Sequence, residues 1–324
     1  MKYLKYSDVS LVPNYSEIYS RSDADPRVEL FGNKYNLPII PANMQSVINI
    51  DIAKWMSEHN YFYIMHRFGQ NLFDLVVQAN EENWKNISFS VGVKMPDKMS
   101  IEKLSRVRDL RIDFLTIDIA HGHCQRMKAV IDLIKNKLPN TKIIAGNVAT
   151  ADAVKCLADW GADMVKVGIG QGSPCTTKDK TGFTLPMFTC VQNCSKVFSG
   201  SFDEEGFEIP IIADGGIKCN GDVAKALVAG AKLVMAGGMF AACTDSPAVS
   251  TIINGAPHKA YFGSASYENK GHKKHIEGKL NHITSSSMTF KEKLNELHED
   301  IQSAMSYGGG KYLDVFKSVD YVEV

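Results

Sequence analysis

The residues best placed to do covalent chemistry lie in one loop, 165–177, which reads VKVGIGQGSPCTT. An apolar segment runs there into Gly170, Gly172, Ser173 and Cys175. Glycines let the backbone approach a ligand closely and leave amides free for an anion. A cysteine in such a loop becomes a nucleophile once its thiolate is favoured. The competing reading is a glycine turn beside an inert buried thiol. What else the chain brings to this loop decides between the two.

The elements that must position the loop are legible in the hydrophobic pattern. Eight short β-rich segments recur at 37–44, 61–67, 87–93, 114–120, 141–148, 164–170, 209–217 and 232–240. Their starts are roughly 23–27 residues apart, with one longer gap before the seventh. That is the repeat of βα units, and eight units close a barrel, so the fold class predicted is an α/β (β/α)8 TIM barrel. Each segment is apolar nearly throughout, as parallel strands buried on both faces are. Helices are predicted between them at 50–59, 125–138 and 151–160, the last ending at Gly161 as C′ residue, and a final helix at 290–307. A doubly wound sheet needs no eighth strand, and its dinucleotide fingerprint is missing, because Ser173 stands where the last glycine belongs.

On such a barrel the chemistry gathers at the C-terminal strand ends. The polar residues collect there: Asn43, His66-Arg67, Asp118, Asn147, the Cys175 loop, Asp214-Gly215-Gly216 and Gly237-Gly238. Glycine pairs after the seventh and eighth strands form the usual phosphate site of a barrel, where free amides and a helix N-terminus meet the anion. Ser173 adds a hydroxyl. Asp214 suits a vicinal diol such as that of ribose, its other role being to cap the next helix. A phosphorylated ribose beside a reactive cysteine follows. His121 and His123 lack a third ligand and read as residues that order a loop or contact a cofactor rather than hold a metal.

Composition bounds the rest. The chain has 324 residues, 44% of them hydrophobic, and a formal net charge of +0, which gives no support to a nucleic-acid or membrane-surface role. No stretch reaches the ~18 apolar residues of a membrane span, and the first dozen residues hold no apolar run of a signal peptide. Seven scattered cysteines show no metal or redox spacing, although Cys190 and Cys194 would face each other on one helix turn. These features predict a reduced, cytoplasmic, single-domain protein spanning 1–324. Two segments exceed a minimal barrel: a polar surface insertion at 198–208 and a stretch at 256–287, placed over the mouth as a mobile flap.

These residues together resemble the GMP reductase and IMP dehydrogenase family, nearly end to end. The resemblance begins at Tyr6-Ser7-Asp8-Val9 with Leu11-Val12-Pro13 and runs through Ser20-Arg21-Ser22, Asn43-Met44, Asp118 and Gly146-Asn147-Val148. It continues through GIGxGSxCTT, ADGGI, Gly237-Gly238, FGSAS and Ile276-Glu277-Gly278-Lys279. Between the family's two activities the chain favours the reductase. It has no room for the paired regulatory modules that the dehydrogenases insert, and no arginine follows Arg126, so the flap arginine that activates water there is absent. MHRF and the SVGVK segment resemble a short bacterial branch.

The resemblance implies NADPH-dependent conversion of GMP to IMP with release of ammonia, through a covalent thioimidate on Cys175. The guanine C2 is electron-rich and resists direct hydride attack; thiol addition and loss of the amine make it electrophilic. The same resemblance assigns proton transfer to Thr177 and Glu277. It places Ser173, Asp214, Gly215, Gly216, Gly237, Gly238, Gly263, Ser264, Ala265, Lys274 and Gly278 against GMP. It places Ser20, Arg21, Arg67, Asp118, Ile119, Ala120, Ile169 and Gly170 against NADPH, whose adenine end reaches 303–306 of a neighbouring subunit. A monovalent cation, K+, would sit on the carbonyls of Gly170, Gly172 and Cys175, and the assembly would be a homotetramer.

The chain departs from the family pattern at Gln171, Pro174, Lys178, Ser264-Ala265 and Lys274, which bears on the cation site and nucleotide contacts more than on the reaction. An IMP dehydrogenase making XMP with NAD is the alternative activity. A silent purine-nucleotide-binding regulator is another, but it has no need of Cys175, Thr177 and Glu277. A phosphosugar isomerase or aldolase would need a strand-end lysine, for which Lys166 is a weak candidate.

Overall fold

The repeat of apolar segments folds into a seven-stranded parallel sheet. The strand order is Ile39–Pro41, Leu233–Ala236, Ile211–Asp214, Met164–Val167, Lys142–Val148, Phe114–Asp118 and Ser88–Val91. The computed structural model describes residues 2–199, 207–272 and 274–324. The short strands are buried throughout, since helices cover one face and their own side chains fill the other. The sheet curls, and beyond its Ser88–Val91 edge Met65 makes a single parallel bridge to Phe89.

The second expected strand, 61–67, is therefore reduced to that bridge. The Ser90 hydroxyl donates to the Met65 carbonyl at 2.7 Å and occupies it as a ladder amide would. Other strands end earlier than predicted where glycine takes over. The 164–170 segment stops at Val167, with Gly168 at φ +131°, and the 232–240 segment stops at Ala236, because Gly238–Ala241 is a helical turn. Phe62 and Phe114 meet edge to face at 4.9 Å, and Tyr35 packs edge-on against Phe62. These rings close the end of the sheet opposite the site.

The helices match their patterns closely. Ile50–Glu58 starts at Asn49, whose side chain accepts from the Ile52 amide. Gln125–Lys137 buries Met127, Val130, Ile131 and Ile134, and Ala151–Trp160 ends on Gly161 in the left-handed region at φ 112°. Phe290–Gly308 opens with a capping box between Thr289 and Glu292. Cys190 and Cys194 are buried free thiols on Met187–Cys194.

The two segments beyond the minimal fold differ from expectation in part. Phe198–Ser199 pairs antiparallel with Phe207–Glu208, and the rest of the 198–208 insertion lies outside the described residues. The ends of the expected 256–287 flap are strands: Ala256–Tyr261 pairs with both Ser250–Ile253 and Asn281–Thr284. Between these ends lie 262–272 and 274–280, carried on this antiparallel stem. The stem is tied to the loop after the first strand, where the Ser46 hydroxyl donates to the Phe262 carbonyl at 3.0 Å.

Candidate active site

The strand ends open into a cleft of about 380 Å³. The Cys175 loop, Asp118 and Asp214, the glycine pairs and part of 262–280 line it. A volume in this range suits a nucleotide-sized ligand. Gly168 leaves the Met164–Val167 strand, and the chain then turns so that the Cys175 amide donates to the Gly172 carbonyl at 3.0 Å. Thr184 pins the turn: its hydroxyl accepts from Gln171 Nε2 at 2.7 Å and donates to the Ile169 carbonyl at 2.8 Å. Ser173 is oriented by the Asn281 amide, which donates to its carbonyl and its hydroxyl, both at 3.2 Å.

Two distant segments meet at the cysteine. The Thr176 amide donates to the Glu277 carbonyl at 2.8 Å, the Lys279 amide donates to the Pro174 carbonyl at 2.9 Å, and Cys175 pairs with Gly278 between them. This short antiparallel pairing aligns three reactive side chains. Cys175 Sγ donates to Thr177 Oγ1 at 3.2 Å, and Thr177 Oγ1 donates to Glu277 Oε2 at 2.7 Å. Thr177 is the first residue of the short helix Thr177–Thr181. A thiol, a hydroxyl and a carboxylate in sequence form a path along which a proton can move to or from a group held at Cys175.

Across the cleft floor lies a buried ion cluster. Lys166, on the Met164–Val167 strand, is 2.8 Å from Asp118 Oδ1 and 2.7 Å from Asp214 Oδ2, and its side chain is 3% exposed. Burial opposes both charges, yet Asp118 stays below the usual carboxylate range because Lys166 and Arg67 stand beside it. Lys166 is likewise held above the usual ammonium range: burial lowers its proton affinity, and Asp118 and Asp214 more than restore it. Asn147 donates to Asp214 Oδ2 and to the Gly168 carbonyl, both at 2.8 Å. Asp214 does not cap the following helix. Asp222 takes the Lys218 and Cys219 amides ahead of that helix instead.

Most of the expected site residues converge here. Cys175, Thr177, Glu277, Ser173, Asp214, Gly215, Gly216, Gly237, Gly238, Gly263, Ser264, Ala265 and Gly278 all line the cleft. So do Arg67, Asp118, Ile119, Ala120, Ile169, Gly170 and Gly172. Lys274 does not; it is exposed, and Lys270 lines the cleft in its place at the end of the turn Tyr267–Lys270. Ser20 and Arg21 also stand apart. Arg21 lies over the Tyr307 ring, 5.5 Å from its centroid, and donates to Ser303 Oγ at 3.5 Å on the C-terminal helix of its own chain. His123 packs against Trp160, with 6.1 Å between ring centroids. Among the described residues no three His, Cys, Asp or Glu side chains converge as metal ligands.

Lys270 and Tyr261 join the cleft without a signal in the sequence, and Asn147, a strand-end polar residue there, has no assigned partner until the fold supplies Asp214. Tyr261 is 3% exposed, and its hydroxyl sits where a Cβ on Gly237 would fall, 2.0 Å away. From sequence alone Lys166 offers itself only as a nucleophile. The available signal was a lysine inside a strand otherwise apolar, which demands a buried carboxylate.

The sequence matches the family model described as IMP dehydrogenase / GMP reductase domain over residues 3–323. The chain belongs to the IMP dehydrogenase/GMP reductase family. Among its relatives, a protein named GMP reductase from Helicobacter pylori (strain G27) is 44% identical over 327 residues, covering 100% of this chain and 97% of its own length. Proteins of the same name from Staphylococcus carnosus (strain TM300) and Staphylococcus aureus (strain JH9) are each 41% identical over 326 residues, with the same coverage. Family membership thus spans the whole cleft, from Asn43 to Gly278.

Proposed function

We propose that this protein is a GMP reductase, which converts GMP to IMP with release of ammonia and oxidation of NADPH. The observation that carries the reading is the hydrogen-bonded series Cys175–Thr177–Glu277 at the mouth of a nucleotide-sized cleft. A regulator that only bound the nucleotide would have no use for it. The curled sheet with Met65 bridged at its edge is read as a complete (β/α)8 barrel of one domain, 1–324, with 262–280 as the flap.

In this reading the phosphate of GMP meets the amides of Gly215, Gly216, Gly237 and Gly238 and the Ser173 hydroxyl. Asp214 accepts from the ribose hydroxyls through Oδ1, since Oδ2 is held by Lys166 and Asn147. Backbone from Gly263–Ala265 and Gly278 encloses the base. The Cys175 sulfur adds to C2, and Glu277, through Thr177, delivers the proton with which the amine leaves as ammonia. A C–S bond forms, the C2–N bond of the amine breaks, and a thioimidate results. Addition of a hydride at C2 then lets the C–S bond break, IMP depart and the thiol regain its proton.

The residues present fit a nicotinamide dinucleotide. Arg67 lies at the cleft edge with a buried Nε that has no partner, beside Asp118, Ile119, Ala120, Ile169 and Gly170. Its fork suits a phosphate. Bound there, NADPH supplies the hydride. Ser20 and Arg21, set against Ser303 and Tyr307, serve a neighbouring subunit's cofactor in a homotetramer. A K+ ion on the carbonyls of Gly170, Gly172 and Cys175 would brace a loop that Thr184 and Gln171 already order, so no step depends on it. A cytoplasmic location is part of this reading, supported by a free Cys175 thiol that a reducing compartment keeps available.

The test is a spectrophotometric assay with GMP and NADPH, scoring IMP and ammonia. Stoichiometric products, no reaction of IMP with NAD, and loss of turnover with retained GMP binding in Cys175→Ala are expected. Near-normal turnover by Cys175→Ala would sink the mechanism, and NADH formation from IMP would move the protein to the dehydrogenase activity.

A further inference from the structure

Lys166 is in an unusual position for a lysine in this molecule. It lies inside a buried strand, its side chain is 3% exposed at the cleft floor, and its ammonium bridges carboxylates on two different strands. Asp214 belongs to the adjacent strand Ile211–Asp214, whereas Asp118 lies two strands away in the opposite direction, beyond Lys142–Val148. The bridge is sterically prepared. A Cβ on Gly146 would fall 2.5 Å from Lys166 Cβ, so glycine in the intervening strand lets the lysine pass beneath it. With Arg67 beside Asp118, the cluster holds two cations and two carboxylates.

We propose that Lys166 is a positioning residue: it fixes Asp118 and Asp214 as carboxylates on the two halves of the cleft and turns Asp214 Oδ1 toward the nucleotide sugar. This rests on the GMP reductase reading. Both acceptor bonds to Asp214 go to Oδ2, and Oδ1 has no protein partner among the described residues. Lys166 is thereby also excluded as a Schiff-base nucleophile, since its ammonium is locked between two anions. Without it, two carboxylates would face a cleft that must accept a phosphate, and only Asp118 would keep a neighbouring cation, Arg67. Two close carboxylates without a shared cation cannot both ionise freely, so the pair would retain a proton to higher pH. The other groups facing the cluster are Tyr6 and Tyr261 beside Asp214, with Cys175 beyond Tyr261. Burial, the largest influence on each, pushes both phenols above their ordinary range, so neither titrates near neutrality.

The experiment compares wild type, Lys166→Met, Lys166→Arg and the double variant Lys166→Met/Asp118→Asn. Each is assayed for kcat/KM with GMP from mildly acidic to mildly alkaline pH, with GMP binding and melting temperature measured in parallel. Lys166→Met is expected to lose about 30-fold or more in kcat/KM for GMP, as when one partner of a buried charge pair is removed, and its acid limb is expected to move to higher pH. Lys166→Arg keeps the wild-type limb. The double variant, with one charge of each sign removed, recovers melting temperature and GMP affinity, the two readouts that do not need Asp118 at the cofactor side of the cleft. If Lys166→Met does not fold, recovery of a folded, GMP-binding protein by adding Asp118→Asn supports the proposal and its failure overturns it. A fall in melting temperature with an unmoved pH limb, or a double variant no better than the single one, also overturns it. Silence of the wild type with GMP would instead refute the functional reading, and the recovery of stability in the double variant would then decide the proposal alone.

Discussion

Replacing Gly237 by alanine tests how the glycine pair and Tyr261 share space. An ideal Cβ there falls 2.0 Å from Tyr261 Oη, about 1.4 Å short of the 3.4 Å at which ordinary contact begins. The Tyr261 side chain is buried, and among the described residues its hydroxyl bonds only to the Met44 sulfur, 3.9 Å away. The ring can therefore shift, at an overpacking cost of about 1–3 kcal/mol. It shifts at the cleft wall, so the same energy should emerge as a rise of roughly 5–150-fold in KM for GMP. Gly238 is the control: a Cβ there meets Tyr261 Cε1 at 3.9 Å, an ordinary contact, so Gly238→Ala should leave the melting temperature nearly unchanged. Adding Tyr261→Phe to Gly237→Ala removes the clashing oxygen and should restore stability. Melting curves and GMP titrations on the four proteins read this out. A double variant as unstable as Gly237→Ala alone would refute the reasoning, because the clash would then lie elsewhere.

Three further outcomes are expected. Glu277→Gln and Thr177→Val should each lower kcat by about 10²–10⁴-fold with a similar GMP KM, as loss of general acid catalysis does. The double variant should be little worse than either, whereas multiplying losses would mean that the two residues act separately. Arg67→Ala should raise KM for NADPH about 10–100-fold, as loss of a charged phosphate contact does, and leave GMP binding nearly unchanged; the reverse pattern would place Arg67 on the substrate. Burial holds the His66 imidazole at about 4, against an ordinary 6.5. The fold thus favours neutral His66, and the unfolded chain takes up its proton first. Stability from this residue should be level above about pH 6.5, then fall by about 3 kcal/mol between that pH and about pH 4. Denaturant midpoints at neutral and acidic pH, for wild type and His66→Gln, would show it as a smaller acid loss in the variant.

The sequence reading reached furthest where local physics decides the outcome. Ala151–Trp160 appears with the predicted bounds because its apolar period, its Thr150 cap and the left-handed Gly161 all act within one helix. It fell short where a distant group intervenes. The 61–67 segment has the composition of a strand, but Ser90, 25 residues on in the next strand, takes the Met65 carbonyl. Lys274 and Lys270 are equivalent in composition, and only the Tyr267–Lys270 turn separates the one at the cleft from the one in solvent. Lys166 and Tyr261 became part of the site, and Asn147 found its role there, through partners 24 to 67 residues away that no local pattern announces.

The pairing of the Cys175 loop with 276–279 carries the consequence of this limit. Thiol and carboxylate are about a hundred residues apart in sequence, and their alignment depends on one register: Cys175 opposite Gly278, with bonds from Thr176 to Glu277 and from Lys279 to Pro174. A slip of one residue in an extended pairing turns each side chain to the opposite face and would carry Glu277 away from Thr177. Glycine at 278 secures the register, since a Cβ there would fall 2.9 Å from the Ser266 amide nitrogen, a backbone atom that cannot swing aside as a side chain can. The residue types in CTT and EGK specify which chemistry is available. The close packing of 278 on 266 specifies that thiol, hydroxyl and carboxylate meet, so in the proposed reaction the glycine beside the acid is what keeps that acid aligned.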